Sequence, residues 1–204
     1  MISIVDYGLG NIQAFLNVFK RLNIEASTAT SARDLDGATK VILPGVGAFD
    51  HAMERLEQSG MRDALDDLVL RARVPVLGVC VGMQILARAS DEGSLPGLGW
   101  IDGHVHRFDA LDGPTPLQLP HMGWNDVTPA RRTPLFDELE VDARFYFLHS
   151  YYFECRRPVD VAATSNYGRE FSCAVSAENI YGVQFHPEKS HHFGTRLLQN
   201  FAEL

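Results

Sequence analysis

Three residues in this chain have the types and settings that acyl-transfer chemistry uses. Cys80 lies in V-P-V-L-G-V-C-V-G-M-Q, and His186 and Glu188 lie in F-H-P-E-K-S about a hundred residues later. Val74, Val76, Leu77 and Val79 form a short apolar run of the kind a strand buried on both faces shows. The run ends at Cys80, with Gly78 and Gly82 two residues to either side, so strand can pass into helix through a tight corner. Met83, Ile85, Leu86 and Ala87 predict a helix starting just after the cysteine, whose free amides and positive end favour thiolate over thiol. Taken alone, G-x-C-x-G describes a structural cysteine packed between strand and helix better than a nucleophile, and the rest of the chain must decide. His186 is held extended by Pro187, which puts His186 and Glu188 on one side of the chain. A carboxylate beside an imidazole fixes its tautomer and stabilises its cation, which is what a base serving a thiol requires.

A third part is the loop Pro44-Gly45-Val46-Gly47 at the end of the apolar run Lys40–Leu43. Glycines at the carboxyl edge of a parallel strand leave backbone amides bare, and such a loop serves either as an oxyanion hole or as a plain turn. Cysteine, histidine with glutamate, and a glycine loop are together the parts of a Cys-His-Glu acyl-transfer site.

These parts need a scaffold that delivers strand ends to one edge. Ile2–Val5 predicts a buried strand closed by Gly8-Leu9-Gly10, and Ile12, Phe15, Leu16, Phe19 and Leu22 then share one helical face. Gln13 stands where a dinucleotide-binding G-x-G-x-x-G needs its third glycine, so the turn is not read as a nucleotide site, and Asn11 reads as a helix cap or a partner contact. Strands are expected over Ile24–Thr30 and Lys40–Leu43, and helices over Phe49–Gln58 and Met61–Arg71. That alternation predicts an α/β fold with an open, largely parallel twisted sheet flanked by helices. After Ala89 a polar, glycine-rich connection leads to shorter expected strands at Gly103–Phe108, Leu117–Leu119, Phe145–Phe153 and Val159–Asn166, so the second half is expected to be mixed or antiparallel. The apolar positions Phe193, Leu197, Leu198, Phe201 and Leu204 predict a closing helix.

A chain of 204 residues buries a core without staples and is read as one domain. Its formal charge of −8 argues against a nucleic-acid face. Cys80, Cys155 and Cys173 are odd in number and share no C-x-x-C spacing, which fits a reducing compartment. With no basic leader and no membrane-length apolar run, the expected location is cytoplasmic. Cys155 and Cys173 are expected in the core. No cofactor is expected. A metal site at His186, Glu188, His191 and His192 is disfavoured because Pro187 and the start of the last helix point its members apart.

Five stretches carry a resemblance along essentially the whole chain: D-Y-G-L-G-N at Asp6–Asn11, P-G-V-G at Pro44–Gly47, G-V-C-V-G-M-Q at Gly78–Gln84, P-H-M-G-W-N at Pro120–Asn125 and F-H-P-E-K-S at Phe185–Ser190. The combination resembles the class I, triad-type glutamine amidotransferases and, within them, the glutaminase subunits of imidazole glycerol phosphate synthases. One departure is Val81, where the family's elbow usually has leucine.

The resemblance implies Cys80, His186 and Glu188 as catalytic triad, backbone amides of Val81, Val46 and Gly47 as oxyanion hole, and Gly47, Gln84, Ser150 and Tyr151 as glutamine contacts. It implies a (β/α)₈-barrel cyclase partner facing Asn11, Trp124, Tyr146 and Lys189, which uses the released ammonia to make imidazole glycerol phosphate and an aminoimidazole carboxamide ribotide. Val46, where many relatives carry glycine, implies a loop that withholds its amide until partner and ligand bind. Rival readings are the glutaminase subunit of another synthase such as anthranilate synthase, a stand-alone cysteine hydrolase, and a silent binding module.

Overall fold

A computed structural model describes residues 1–109 and 116–204. The first half runs β1 (Ile2–Val5), α1 (Ile12–Arg21), β2 (Ala26–Ala29), β3 (Lys40–Gly45), α2 (Phe49–Gln58), α3 (Arg62–Asp66), β4 (Val76–Cys80) and α4 (Val81–Gln84). The second runs β5 (Ala89–Ser90), β6 (Gly103–Arg107), β7 (His121–Asp126), β8 (Thr128–Pro129), β9 (Arg144–His149), β10 (Tyr151–Cys155), β11 (Val161–Tyr167), β12 (Arg169–Ala177), β13 (Ile180–Val183) and α5 (His191–Glu203).

Strands β2-β1-β3-β4-β13-β12-β10-β6-β5 lie side by side in that order in one sheet, and β11 pairs with both β12 and β8. From β2 to β13 neighbours are parallel. β12 then runs antiparallel to β13 and β10, and β10 antiparallel to β6. A separate antiparallel ribbon joins β7 to β9. This is the expected class: parallel strands first, mixed strands afterwards. The apolar runs Val41–Leu43 and Val76–Val79 sit at 0–1% exposure, as strands covered on both faces must. Because β3, β4 and β13 are parallel neighbours, their carboxyl ends open onto one edge of the sheet, where an open α/β fold gathers its ligands. No helix among the described residues is long and apolar enough to cross a membrane.

Several elements differ from expectation. The helix after Cys80 is a single turn, since the carbonyls of Ile85, Leu86 and Ala87 accept from the amides of Leu98, Ile101 and Gly99 and cannot continue a helical ladder. Met61–Arg71 divides into α3 and a wider turn of π type over Asp67–Arg71. Leu117–Leu119 forms no strand, bracketed as it is by Pro116 and Pro120, which have no amide to donate. The expected strand Phe145–Phe153 is two strands in different sheets, broken at Ser150. Nine-residue β12 was not anticipated, although Phe171, Cys173 and Val175 alternate with Glu170, Ser172 and Ser176; Ala174 and the buried Ser176 on the second face blunt that contrast. Cys173 is in the core, whereas Cys155 is only half-buried, at the end of β10.

Candidate active site

Cys80 ends β4 and turns directly into α4, with φ +57° and ψ −115°, a basin that L residues rarely occupy. The corner is tight because the chain doubles back on β3. A Cβ at Gly82 would collide with the Leu43 carbonyl oxygen, and one at Gly78 with the carbonyl of Gly82. Glycine is therefore required at both positions for the elbow to close. The Cys80 side chain lies 3.9 Å from the Leu148 carbonyl oxygen and 3.8 Å from the Gln184 amide nitrogen, which donates to the sulfur.

β13 brings the second reagent. Beyond its end, the His186 amide donates to the Tyr146 carbonyl (2.9 Å), the Ser190 hydroxyl donates to the His186 carbonyl (2.6 Å), and the Tyr146 amide donates to Ser190 Oγ (3.0 Å). These three bonds pin the Pro187–Lys189 turn to β9. His186 Nδ1 lies 2.9 Å from Glu188 Oε1, and both side chains are all but sealed, at 4% and 3% exposure. Burial alone would push this imidazole down, but hydrogen bonds to Cys80 and Glu188, together with their negative charges, raise it to about 9. Glu188 Oε2 is buried without a partner.

Elbow, turn and glycine loop surround a pocket of about 270 Å³ whose walls include Val46, Gly47, Cys80, Val81, Gln84 and His186. Ser150 and Tyr151 line it as well, delivered by the break between β9 and β10. Gln84 is nearly sealed; its Nε2 donates to Gln184 Oε1 (2.9 Å) and to the Tyr151 carbonyl (3.3 Å). Val46 is 41% exposed and Gly47 has φ +90°. Cys80, His186 and the residues expected at the oxyanion hole and the glutamine contacts thus line this one cavity, whereas Glu188 is not part of its wall and meets it through His186.

Other wall residues were not anticipated. Glu92 lines the pocket from the Ser90–Gly99 connection, and its carboxylate accepts the Phe49 amide at the start of α2 (2.9 Å). Nothing in the sequence singled it out. Gln184, behind the wall and hydrogen-bonded to Cys80, carried a signal, since it shares its side of the alternating stretch with His186. His149 also lines the pocket; its Nδ1 donates to the Tyr151 carbonyl (2.8 Å) and its Nε2 faces His121 Nδ1 at 2.9 Å. Burial drives His149 down to about 3 and His121 to about 4, so both are neutral. Tyr7, beneath the glycine loop, donates to the Pro44 carbonyl (2.7 Å), and burial followed by the charge of Cys80 pushes its phenol far above the ordinary value.

The four expected partner-facing residues lie outside the pocket proper, except Lys189, which is exposed at its rim. Trp124 and Tyr146 are opposite one another across β7 and β9, with rings 6.4 Å apart, and Lys189 Nζ lies 6.0 Å from the Tyr146 ring. Asn11 is exposed and accepts the Ala14 amide (3.2 Å), the expected cap of α1, which packs on the turn carrying Lys189. His191 stacks on Trp124 and His192 tilts against Phe193, so neither joins His186 and Glu188 in a ligand cluster.

Residues 3–204 match the family profile for glutamine amidotransferase class-I. The chain is 63% identical over its full length to an imidazole glycerol phosphate synthase subunit HisH of Bdellovibrio bacteriovorus, covering 100% of both chains. It is 53% identical, again over 100% of both, to the subunit of that name from Leptospira borgpetersenii. Among solved structures, a glutamine amidotransferase superposes with TM-score 0.76 at 20% identity, covering 99% of this chain and 97% of the other. A chain of PurLQS from Thermotoga maritima gives 0.75 at 17%, with the same coverage. At those identities the superpositions speak for the fold. The profile and the full-length relatives establish that this chain belongs to the class I glutamine amidotransferases, in the branch of the imidazole glycerol phosphate synthase HisH subunits.

Proposed function

We propose that this chain is a single glutaminase domain that hydrolyses glutamine to glutamate and ammonia and hands the ammonia to a cyclase subunit with a (β/α)₈ barrel. The observation that carries the proposal is the buried His186–Glu188 pair hydrogen-bonded toward Cys80 at the wall of one pocket. Cys80 Sγ, its proton held by His186, attacks the side-chain carboxamide carbon of glutamine. The amides of Val81 and of Val46 or Gly47 receive the oxyanion. His186 gives its proton to the departing amine, releasing ammonia, then takes one from water as that water cleaves the glutamyl thioester, while Glu188 orients the ring. Gly47, Gln84, Ser150 and Tyr151 hold the substrate's remaining polar groups.

Ammonia lost to solvent would be wasted, so the site requires a partner over its rim. Asn11, Trp124, Tyr146 and Lys189 form the contact surface in this reading, with Trp124 as anchor because large aromatics dominate such interfaces. Three unpaired thiols support a cytoplasmic location. The exposed Val46 supports a glycine loop that completes the oxyanion hole only in the assembled synthase.

The test is glutamate formation from glutamine by the chain alone, and then mixed with a histidine-pathway cyclase and its nucleotide ligand. Turnover in the mixture that vanishes in Cys80→Ala is the expected result. Strong turnover by the isolated chain would overturn the dependence on a partner, and silence in both conditions would overturn the choice of synthase.

A further inference from the structure

A second constellation of metal-binding side chains sits at the far edge of the large sheet, where two-residue β5 lies parallel to β6. His104 and His106 alternate on β6 and so project to one face, their rings 4.5 Å apart. Asp91 follows β5 and reaches both: Oδ1 is 2.7 Å from His104 Nε2, and Oδ2 is 3.1 Å from His106 Nδ1. The Arg107 amide donates to Oδ2 (3.2 Å), which fixes the carboxylate's orientation. On the other side of β6, Glu154 of β10 places Oε2 3.0 Å from His106 Nε2.

The geometry points to a site for one divalent ion of borderline softness, best fitted by Zn²⁺, with Asp91, His104 and His106 as protein ligands. Their three donor atoms lie within 4.8 Å of one another. Tetrahedral zinc, with ligand bonds of about 2.0–2.2 Å, sets neighbouring donors about 3.4 Å apart. The Asp91 contacts, now 2.7 and 3.1 Å, must open toward that spacing and the two imidazole donors must settle to it, and the side chains, at 34–44% exposure, are free to make these sub-ångström to ångström adjustments. Two imidazoles and a carboxylate suit zinc, cobalt and nickel rather than magnesium or calcium. Glu154 supplies what a ligating histidine ordinarily has, a carboxylate on its other ring nitrogen that holds the tautomer. The ion's two charges also match Asp91 plus Glu154, so the filled site is neutral overall.

Such an ion would clamp the short edge strand. Asp91 is followed by Glu92, which lines the glutamine pocket, so the clamp would also restrain that wall.

The test uses the full chain without a histidine tag and in the Cys80→Ala background, so that the catalytic thiol cannot capture metal. Zn²⁺ titration by calorimetry is expected to give one saturable site, and Co²⁺ a visible absorption band of low-symmetry coordination. His104→Ala and Asp91→Asn should each weaken binding at least about tenfold, and Glu154→Gln by roughly tenfold. A metal-dependent rise in melting temperature should disappear with them. Absence of saturable binding would overturn the proposal, as would binding that survives both His104→Ala and Asp91→Asn.

Discussion

His186 and His149 are both buried, both line the pocket beside Cys80, and are shifted in opposite directions. His186 is raised to about 9 and His149 lowered to about 3. Burial pushes both down, so burial does not separate them. Their partners do: His186 has a carboxylate and a thiol, whereas His149 has a backbone carbonyl and a second imidazole, His121. One region of the pocket is thus built to hold a proton and the other to refuse it. In the proposed mechanism the first is the place for proton transfer, and the second is a neutral, hydrogen-bonded wall.

The strongest way to break this contrast is to remove the sulfur. Cys80→Ala should lower glutamine turnover in the presence of the partner by about four orders of magnitude or more. It should also bring His186 down from about 9, as followed by NMR titration of its ring, while leaving His149 neutral. Glu188→Gln keeps the shape and deletes the charge; turnover should fall by roughly 10²–10⁴-fold. In the wild type, the rate should decline above about pH 9 as His186 loses its proton, and this limb should move toward neutrality in the variant.

Trp124→Ala sharpens the contrast by sparing it. Affinity for the cyclase should drop about 30-fold or more, read by titration calorimetry, with both imidazoles unaltered. The smallest effect is on stability against pH. His186, raised above its unfolded value, stabilises the fold fully below about pH 6.5, and the contribution fades as pH rises through about 9. His149 and His121, lowered, stabilise above about 6.5, and lose that contribution as pH falls toward about 4 and then 3. The urea midpoint of His149→Gln should therefore start lower at neutral pH but decline less on acidification than that of the wild type. An equally steep decline would show that the buried pair does not set the acid limb.

Much of the first half, and the turn after β13, was legible because the signals are local. The apolar runs of β1, β3 and β4, the glycines at 78 and 82, and the proline after His186 each constrain the backbone where they stand. What escaped depends on distant partners. Whether Ile85–Ala87 continue a helix is decided by amides from Gly97–Ile101, and the break at Ser150 places Phe145–His149 and Tyr151–Cys155 in different sheets. β12 has an apolar face in Phe171, Cys173 and Val175, but the small residues Ser172, Ala174 and Ser176 opposite it dull the alternation. Gln184 was visible on the side of His186, but the hydrogen bond it accepts from Gln84 joins residues a hundred positions apart, and Glu92 gave no sign of the pocket it would line.

The positive φ at Cys80 has a consequence for how this sequence can drift. The basin it occupies costs a side-chain-bearing residue on the order of 1–3 kcal/mol and glycine much less. Folding therefore selects against cysteine at this position, and in the proposed mechanism it is catalysis that retains it. In a lineage relieved of the need to cleave glutamine, glycine at position 80 would be the favoured substitution, leaving a sturdier but inert scaffold.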